Sequence, residues 1–123
     1  MIVVVDDHPD TAQALARLLG RAGHEAVIKP CAEDLLEFLR ENQPQAVVLD
    51  LSMPGIGGMR CLETMRSAPA WRRIPVIVYT ADYNLDRMHD AQDLGVQGFL
   101  VKGTVSWNKV LDTIERAIEP RDA

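Results

Sequence analysis

The sequence predicts an α/β fold: five parallel strands, each followed by a helix, in one doubly wound sheet. Three observations predict it. Five short runs rich in β-branched residues recur along the chain and stop at turn residues. Between them lie stretches whose apolar residues recur at helical spacing. The central runs are apolar at nearly every position, as strands buried on both faces must be. Strands alternating with helices in this way pair in parallel through right-handed crossovers.

The first strand is Ile2–Val5, ending in Asp6-Asp7-His8-Pro9. Asp10 and Gln13 then resemble a capping box, with Leu15, Leu18, Leu19 and Ala22 on one helical face and Gly23 as the stop. Gly20 is a weak interior point of that helix. Glu25–Lys29 reads as an outer strand closed by Pro30, and Ala32–Asn42 as an amphipathic helix with Leu35, Leu36 and Leu39 inward. Ala46–Asp50 is the third strand, followed by a Pro/Gly loop over 52–58 and a helix over Met59–Ser67 carrying Met59, Leu62 and Met65. The segment 68–73 connects to a fourth strand, Pro75–Thr80. Asn84 caps the next helix, whose inner face is Leu85, Met88, Ala91 and Leu94, and Gly95 ends it. Gly98–Val101 is the fifth strand. Thr104 or Ser106 caps the last helix, with Trp107, Val110, Leu111, Ile114, Ala117 and Ile118 inward and Pro120 as its end.

The chain has 123 residues, 47% of them hydrophobic and 25% charged, which suits one domain with a single sizeable core. Residues 1–119 are expected to form that domain and 120–123 a tail or the start of a linker. Net charge is −5, and no basic cluster resembles a nucleic-acid footprint. No run is long and apolar enough for a membrane span, and the start has no basic leader. A cytoplasmic chain is expected, with Cys31 and Cys61 as reduced, packed thiols. Either a free-standing protein or a piece of a longer one is expected, and the opening of the first strand at Ile2 slightly favours the latter.

In a parallel sheet the carboxyl ends of the strands share one edge, where ligands bind. Strand one delivers Asp6 and Asp7 there, strand three Asp50, strand four Thr80 and strand five Lys102. Three carboxylates against one ammonium leave about −2 in a partly buried cleft, a repulsion that a divalent cation relieves. Mg2+ binds carboxylate oxygen and keeps waters that a phosphate can replace. Carboxylates, Mg2+, a lysine and a hydroxyl together make a phosphoryl site, and a carboxylate can itself be the nucleophile.

With these residues in order, the chain resembles the receiver domain of two-component response regulators, of the chemotaxis-regulator type. The matching features are Asp6-Asp7, Asp50 followed by Met53-Pro54-Gly55, Thr80-Ala81, and Gly95 followed by Gly98-Phe99-Leu100-Val101-Lys102; together they cover the whole chain. The resemblance implies the flavodoxin-like strand order 2-1-3-4-5. It implies Asp50 as the phosphoacceptor, and Mg2+ (or Mn2+) bound directly by Asp6, Asp50 and the backbone carbonyl of Ser52, with Asp7 acting through water. Lys102 would pair with the phosphoryl group. Thr80 and Phe99 would form the switch, read out on the face of the last two helices and strand five. A histidine kinase or phosphotransfer protein would be the donor, and an effector domain or separate target the output. Ser52 and Asp82 flank the site, placed to tune phosphoryl lifetime. After the lysine the family usually has proline, and here there is Gly103. A cis bond at glycine costs ~2 kcal/mol or more beyond proline, so a trans bond or a rearranged loop is expected.

Two other functions compete. A Mg2+-dependent aspartate-nucleophile phosphatase would place its nucleophile after strand one with a second Asp two residues on, where this chain has His8. A receiver-like module that binds a partner without phosphorylation is the other. Of the remaining residues, Phe99 is equally a plain core residue, His8 is expected to be a solvated loop histidine, and His24 and His89 are expected on the surface. Trp71 and Trp107 are expected to pack inward; an exposed Trp107 would mark a partner surface.

Overall fold

The structure is a computed structural model describing residues 1–82 and 84–119. Pro120, expected to end the last helix, lies outside them, as do the tail positions after it. The chain runs β1 (Ile2–Val5), α1 (Pro9–Arg21), β2 (Ala26–Lys29), α2 (Ala32–Leu39), β3 (Ala46–Leu49), α3 (Gly57–Ser67), β4 (Val76–Thr80), α4 (Leu85–Asp93), β5 (Gly98–Val101) and α5 (Trp107–Ile118). All pairings are parallel and the order is β2-β1-β3-β4-β5, as expected.

Side-chain alternation splits the core into two layers. Val3, Val5, Val47, Leu49, Val76 and Val78 face one way and pack against Leu35 and Leu39 of α2 and Leu62 and Met65 of α3. Ile2, Val4, Ala46, Val48, Ile77 and Tyr79 face the other way, against Leu15 and Leu19 of α1 and Val110 and Ile114 of α5. Each large side chain so buried contributes roughly 1.5–3 kcal/mol. β1 and β3 are fully buried, which accounts for their unbroken apolar runs. The register pairs Val5 with Leu49 and Leu49 with Val78, so these strands end level with one another.

The sequence expectations need correction in several places. α1 starts at Pro9 with His8 as its N-cap, not at Asp10; Pro9 is preset for the first helical position, and Asp10 lies in the first turn without a side-chain cap bond. α2 stops at Leu39, where the last turn tightens: the Arg40 and Glu41 N–H groups donate to the Glu37 and Phe38 carbonyls at 3.2 and 3.3 Å. On α4, Ala91 is buried, but Leu85 is 52% exposed. Trp107 is 43% exposed, its ring tilted against Tyr79 at 6.1 Å. A position in the first turn of a helix can overhang the layer it packs on, and periodicity does not show this. His24 is not a free surface residue: its Nε2 lies 2.9 Å from Glu115 Oε2 and ties the α1–β2 turn to α5. The cap at Asn84 is as expected, and of Thr104 and Ser106 it is Ser106 that caps α5; both side chains accept from backbone N–H in the first turn.

α3 begins two residues earlier than expected because Gly58 belongs to it. A Cβ on Gly58 would land on the Asp50 carbonyl oxygen and 2.6 Å from Leu51 Cα. This glycine lets α3 press against the end of β3. Arg66, in the last turn of α3, donates to the Leu94, Ile74 and Gly95 carbonyls at 2.7, 2.9 and 3.2 Å, joining α3 to the segments before β4 and after α4.

The two helical glycines should respond oppositely to alanine. Gly58→Ala should lower stability by about 1–3 kcal/mol in urea unfolding. Gly20→Ala, with open space around it, should raise it by about 0.5–1 kcal/mol. Stabilisation by both would overturn the close approach at Gly58. The thiols should also differ. Burial, then the charge of Glu33, pushes the Cys61 thiol up to about 12, whereas Cys31 is partly exposed. Iodoacetamide at pH 8 should label native Cys31 well before Cys61; equal rates would contradict the sealed α3 layer.

Candidate functional site

The site is built by backbone that carries the sheet one step beyond its strands. The Asp6 N–H donates to the Lys29 carbonyl at 3.1 Å, the Asp50 N–H to the Val5 carbonyl at 3.0 Å, and the Lys102 N–H to the Thr80 carbonyl at 2.8 Å. Apolar strands therefore deliver these residues to one rim in fixed register. Asp6, Asp50 and Thr80 are 3%, 2% and 0% exposed, an unusual burial for two acids so close together.

Lys102 Nζ joins those acids. It donates to Asp6 Oδ2 at 2.7 Å and Asp50 Oδ2 at 3.3 Å. The remaining oxygens are held by backbone: Asp6 Oδ1 accepts the His8 N–H at 2.9 Å, and Asp50 Oδ1 accepts the Ser52 N–H at 3.0 Å. Burial pulls the Lys102 pKa down, but the hydrogen bond to Asp6 and the charges of Asp50 and Asp6 outweigh it, and the ammonium is held above its ordinary value. Lys102 is charged at neutral pH.

Lys102 reaches the acids although Gly103 follows it. The Lys102–Gly103 bond is trans, as expected. Gly103 has φ +82°, and the Thr104 N–H closes a turn onto the Val101 carbonyl at 3.1 Å. Proline, locked near −65°, cannot adopt that conformation. The departure from the proline pattern goes with a different turn, and this turn delivers the lysine to the site.

Thr80 Oγ1 accepts the Asp82 N–H at 3.2 Å and lies 3.5 Å from Ser52 Oγ. Asp82 in turn takes Arg87 of α4 at 2.6 Å. Phe99 is half-buried among the α2–α4 layer, on Thr80's face of the sheet: Val78 pairs with Phe99 and Thr80 with Val101.

Asp7 completes the acids. Its Oδ1 is buried and has no hydrogen-bond partner among the described residues. An orphaned carboxylate oxygen beside two other carboxylates fits a cation, and a set of three acids suits a hard divalent ion such as Mg2+. The structure thus brings together Asp6, Asp7, Asp50, Lys102, Thr80 and Ser52.

His8 is solvent-exposed, as expected of a loop residue, with 63% of its side chain accessible, and it also reaches the acids. His8 Nδ1 lies 3.2 Å from Asp6 Oδ1, 3.2 Å from Asp7 Oδ1 and 3.9 Å from Asp50 Oδ2. The signal was the following proline. Pro9 holds His8 in extended backbone, with φ −94° and ψ 105°, and this turns its ring back over the rim. The Asp82–Arg87 link was also invisible in sequence, because α4 is too weakly patterned to orient Arg87.

Comparison with known proteins agrees with this geometry. The model of the response regulator receiver domain family matches residues 2–115. The chain is 36% identical over 115 residues to the sensory/regulatory protein RpfC of Xanthomonas campestris pv. campestris, covering 92% of this chain and 16% of that protein. It is 33% identical over 105 residues to the response regulator GacA of Pseudomonas aeruginosa, covering 83% of this chain and 48% of that protein. The chain thus spans half or less of the length of these curated relatives. The crystal structure of a response regulator receiver protein from Pseudomonas putida superposes with a TM-score of 0.87 at 28% identity, covering 94% of each chain. Five acid, hydroxyl and lysine positions on one rim, a 2-1-3-4-5 parallel sheet and a family match across nearly the whole chain lead to one conclusion: the chain belongs to the response regulator receiver domains, the signalling switches of two-component systems.

Proposed function

We propose that Asp50 accepts a phosphoryl group from a histidine kinase or phosphotransfer protein, and that residues 1–119 act as the receiver while positions 120–123 lead out of it. The observation that carries this is Lys102 Nζ set between the buried carboxylates of Asp6 and Asp50. An Asp50 oxygen attacks phosphorus, the bond from phosphorus to the donor breaks, and the donor leaves with its electron pair. Lys102, already within reach of Asp50, turns to a phosphoryl oxygen. Thr80 gives up the Asp82 N–H and donates its hydroxyl to another.

Asp6, Asp7, Asp50 and the Ser52 carbonyl would hold Mg2+, which supplies charge neutralisation of the phosphoryl oxygens. The family pattern has Asp6 bind directly and Asp7 through water. Here both Asp6 oxygens are engaged and the orphaned oxygen is Asp7 Oδ1, so we assign Asp7 a direct ligand role as well. Mn2+ fits the same oxygens.

Thr80 leaving Asp82 loosens the Asp82–Arg87 pair and so biases α4. Phe99, on Thr80's face, follows into the space vacated. The readout is the α4–β5–α5 face, where Leu85 and Trp107 are exposed. The domain promotes its own phosphorylation and hydrolysis without turning over a substrate. It works in the cytoplasm through an attached effector domain or a separate target, and does not itself bind nucleic acid. Among the described residues no helix is long and apolar enough to cross a membrane.

Acetyl phosphate with Mg2+ should add one phosphate to the intact mass of the parent and none to Asp50→Asn. An unmodified parent, or a modified Asp50→Asn, would overturn the assignment. Mg2+ at about a hundred times its Kd should stabilise the parent by about 2–3 kcal/mol, a rise in Tm on the order of 10 °C. Excess chelator should reverse it. A Tm indifferent to Mg2+ would rule out the metal centre.

A further inference from the structure

We propose that His8 Nδ1 is a further donor to the divalent cation held by Asp6, Asp7 and Asp50, and that it tilts the site toward Mn2+ and other first-row transition ions over Mg2+. This rests on the carboxylates forming a metal centre. His8 Nδ1 and one oxygen from each of the three acids all lie within 4.8 Å of one another. Neighbouring donors on an octahedral ion with bonds of about 2.1 Å stand about 3.0 Å apart, and opposite donors about 4.2 Å. The separations from His8 Nδ1, 3.2 Å to Asp6 and Asp7 and 3.9 Å to Asp50, span that range.

The two cationic positions do not coincide. Lys102 takes the Oδ2 atoms of Asp6 and Asp50. His8 faces Asp6 Oδ1 and the orphaned Asp7 Oδ1, which at 3.2 Å from the ring still makes no hydrogen bond with it. A shared ion supplies what that oxygen lacks. The His8 backbone is fixed at the cap of α1, by its N–H to Asp6 Oδ1 and by Pro9 after it. Among the described residues, the hydrogen bonds and ion pairs of its ring all go to these three acids.

The chemistry sets the preference. Mg2+ takes oxygen ligands and sheds water reluctantly, whereas imidazole nitrogen suits the transition ions. A nitrogen at this position therefore adds more to Mn2+ binding than to Mg2+ binding.

The test is Mn2+ titration followed by electron paramagnetic resonance. Spin-echo envelope modulation of the Mn2+-loaded parent should show a coordinated imidazole nitrogen. The signal should vanish in His8→Ala and persist in His89→Ala, which removes a remote imidazole. His8→Ala should weaken Mn2+ at least about tenfold while leaving Mg2+, measured by competition, within about threefold. Mn2+ bound to the parent without nitrogen modulation, or modulation surviving His8→Ala, overturns this proposal alone. Failure of Mn2+ to bind, or binding that survives both Asp7→Asn and Asp50→Asn, overturns the carboxylate centre and this proposal together.

Discussion

The ion cluster of Asp6, Asp50 and Lys102 is the interaction on which the rest of the molecule turns. Two carboxylates that are almost fully buried and close to a third acid repel one another. In water each would keep its own solvation; here one ammonium at 2.7 and 3.3 Å and the His8 and Ser52 N–H groups replace it. That arrangement is satisfied but short of positive charge. The acids could take a divalent cation to offset that deficit, and in the proposed function a phosphoryl group follows it. The site is in this sense a charge deficit held in place by a rigid sheet.

The rigidity has an identifiable source. β1 and β3 are buried on both faces, and β4 extends the same register, so one-residue slippage would drive valines and isoleucines into the wrong layer. Packing thus locks the strands, and the strands lock the backbone of Asp6, Asp50 and Lys102 through hydrogen bonds that continue the ladder. The parts that can move lie outside this frame: Thr80's hydroxyl, the Asp82–Arg87 pair, and α4, which buries Ala91 and leaves Leu85 exposed. A helix anchored by few buried side chains is inexpensive to shift. The proposed switch acts through α4 for that reason.

Much of the fold and site was legible in the sequence. The five apolar runs announce strands because burial on both faces leaves no room for polar alternation. Asp6, Asp7, Asp50, Thr80 and Lys102 stand out because each ends such a run, and an acid or lysine there needs a partner. The cap at Asn84 is local chemistry and was read directly, and the cap of the last helix was narrowed to Thr104 or Ser106. Trp107 and Leu85 were misjudged for a common reason. Periodicity assigns a side chain to a helical stripe, but not the distance between that stripe and the layer beneath it. For His8, exposure was read correctly, but its ring contacts to Asp6, Asp7 and Asp50 depend on how the end of β1 meets the end of β3. The close approach of Gly58 to the end of β3 was likewise hidden, since it is a contact between elements.

The sequence by itself determined the parallel α/β architecture, the identity of the rim residues and the charge deficit among them. These depend on residue type and order, which hydrophobic burial reads one strand at a time. Only the tertiary structure decided which carboxylate oxygens Lys102 takes, that Asp7 keeps an orphaned oxygen, that His8 joins the acids, and that Gly103 makes the turn without proline. Those are matters of direction and distance between segments up to 96 positions apart in the chain. They are fixed when the two core layers close and bring the strand ends together on one rim.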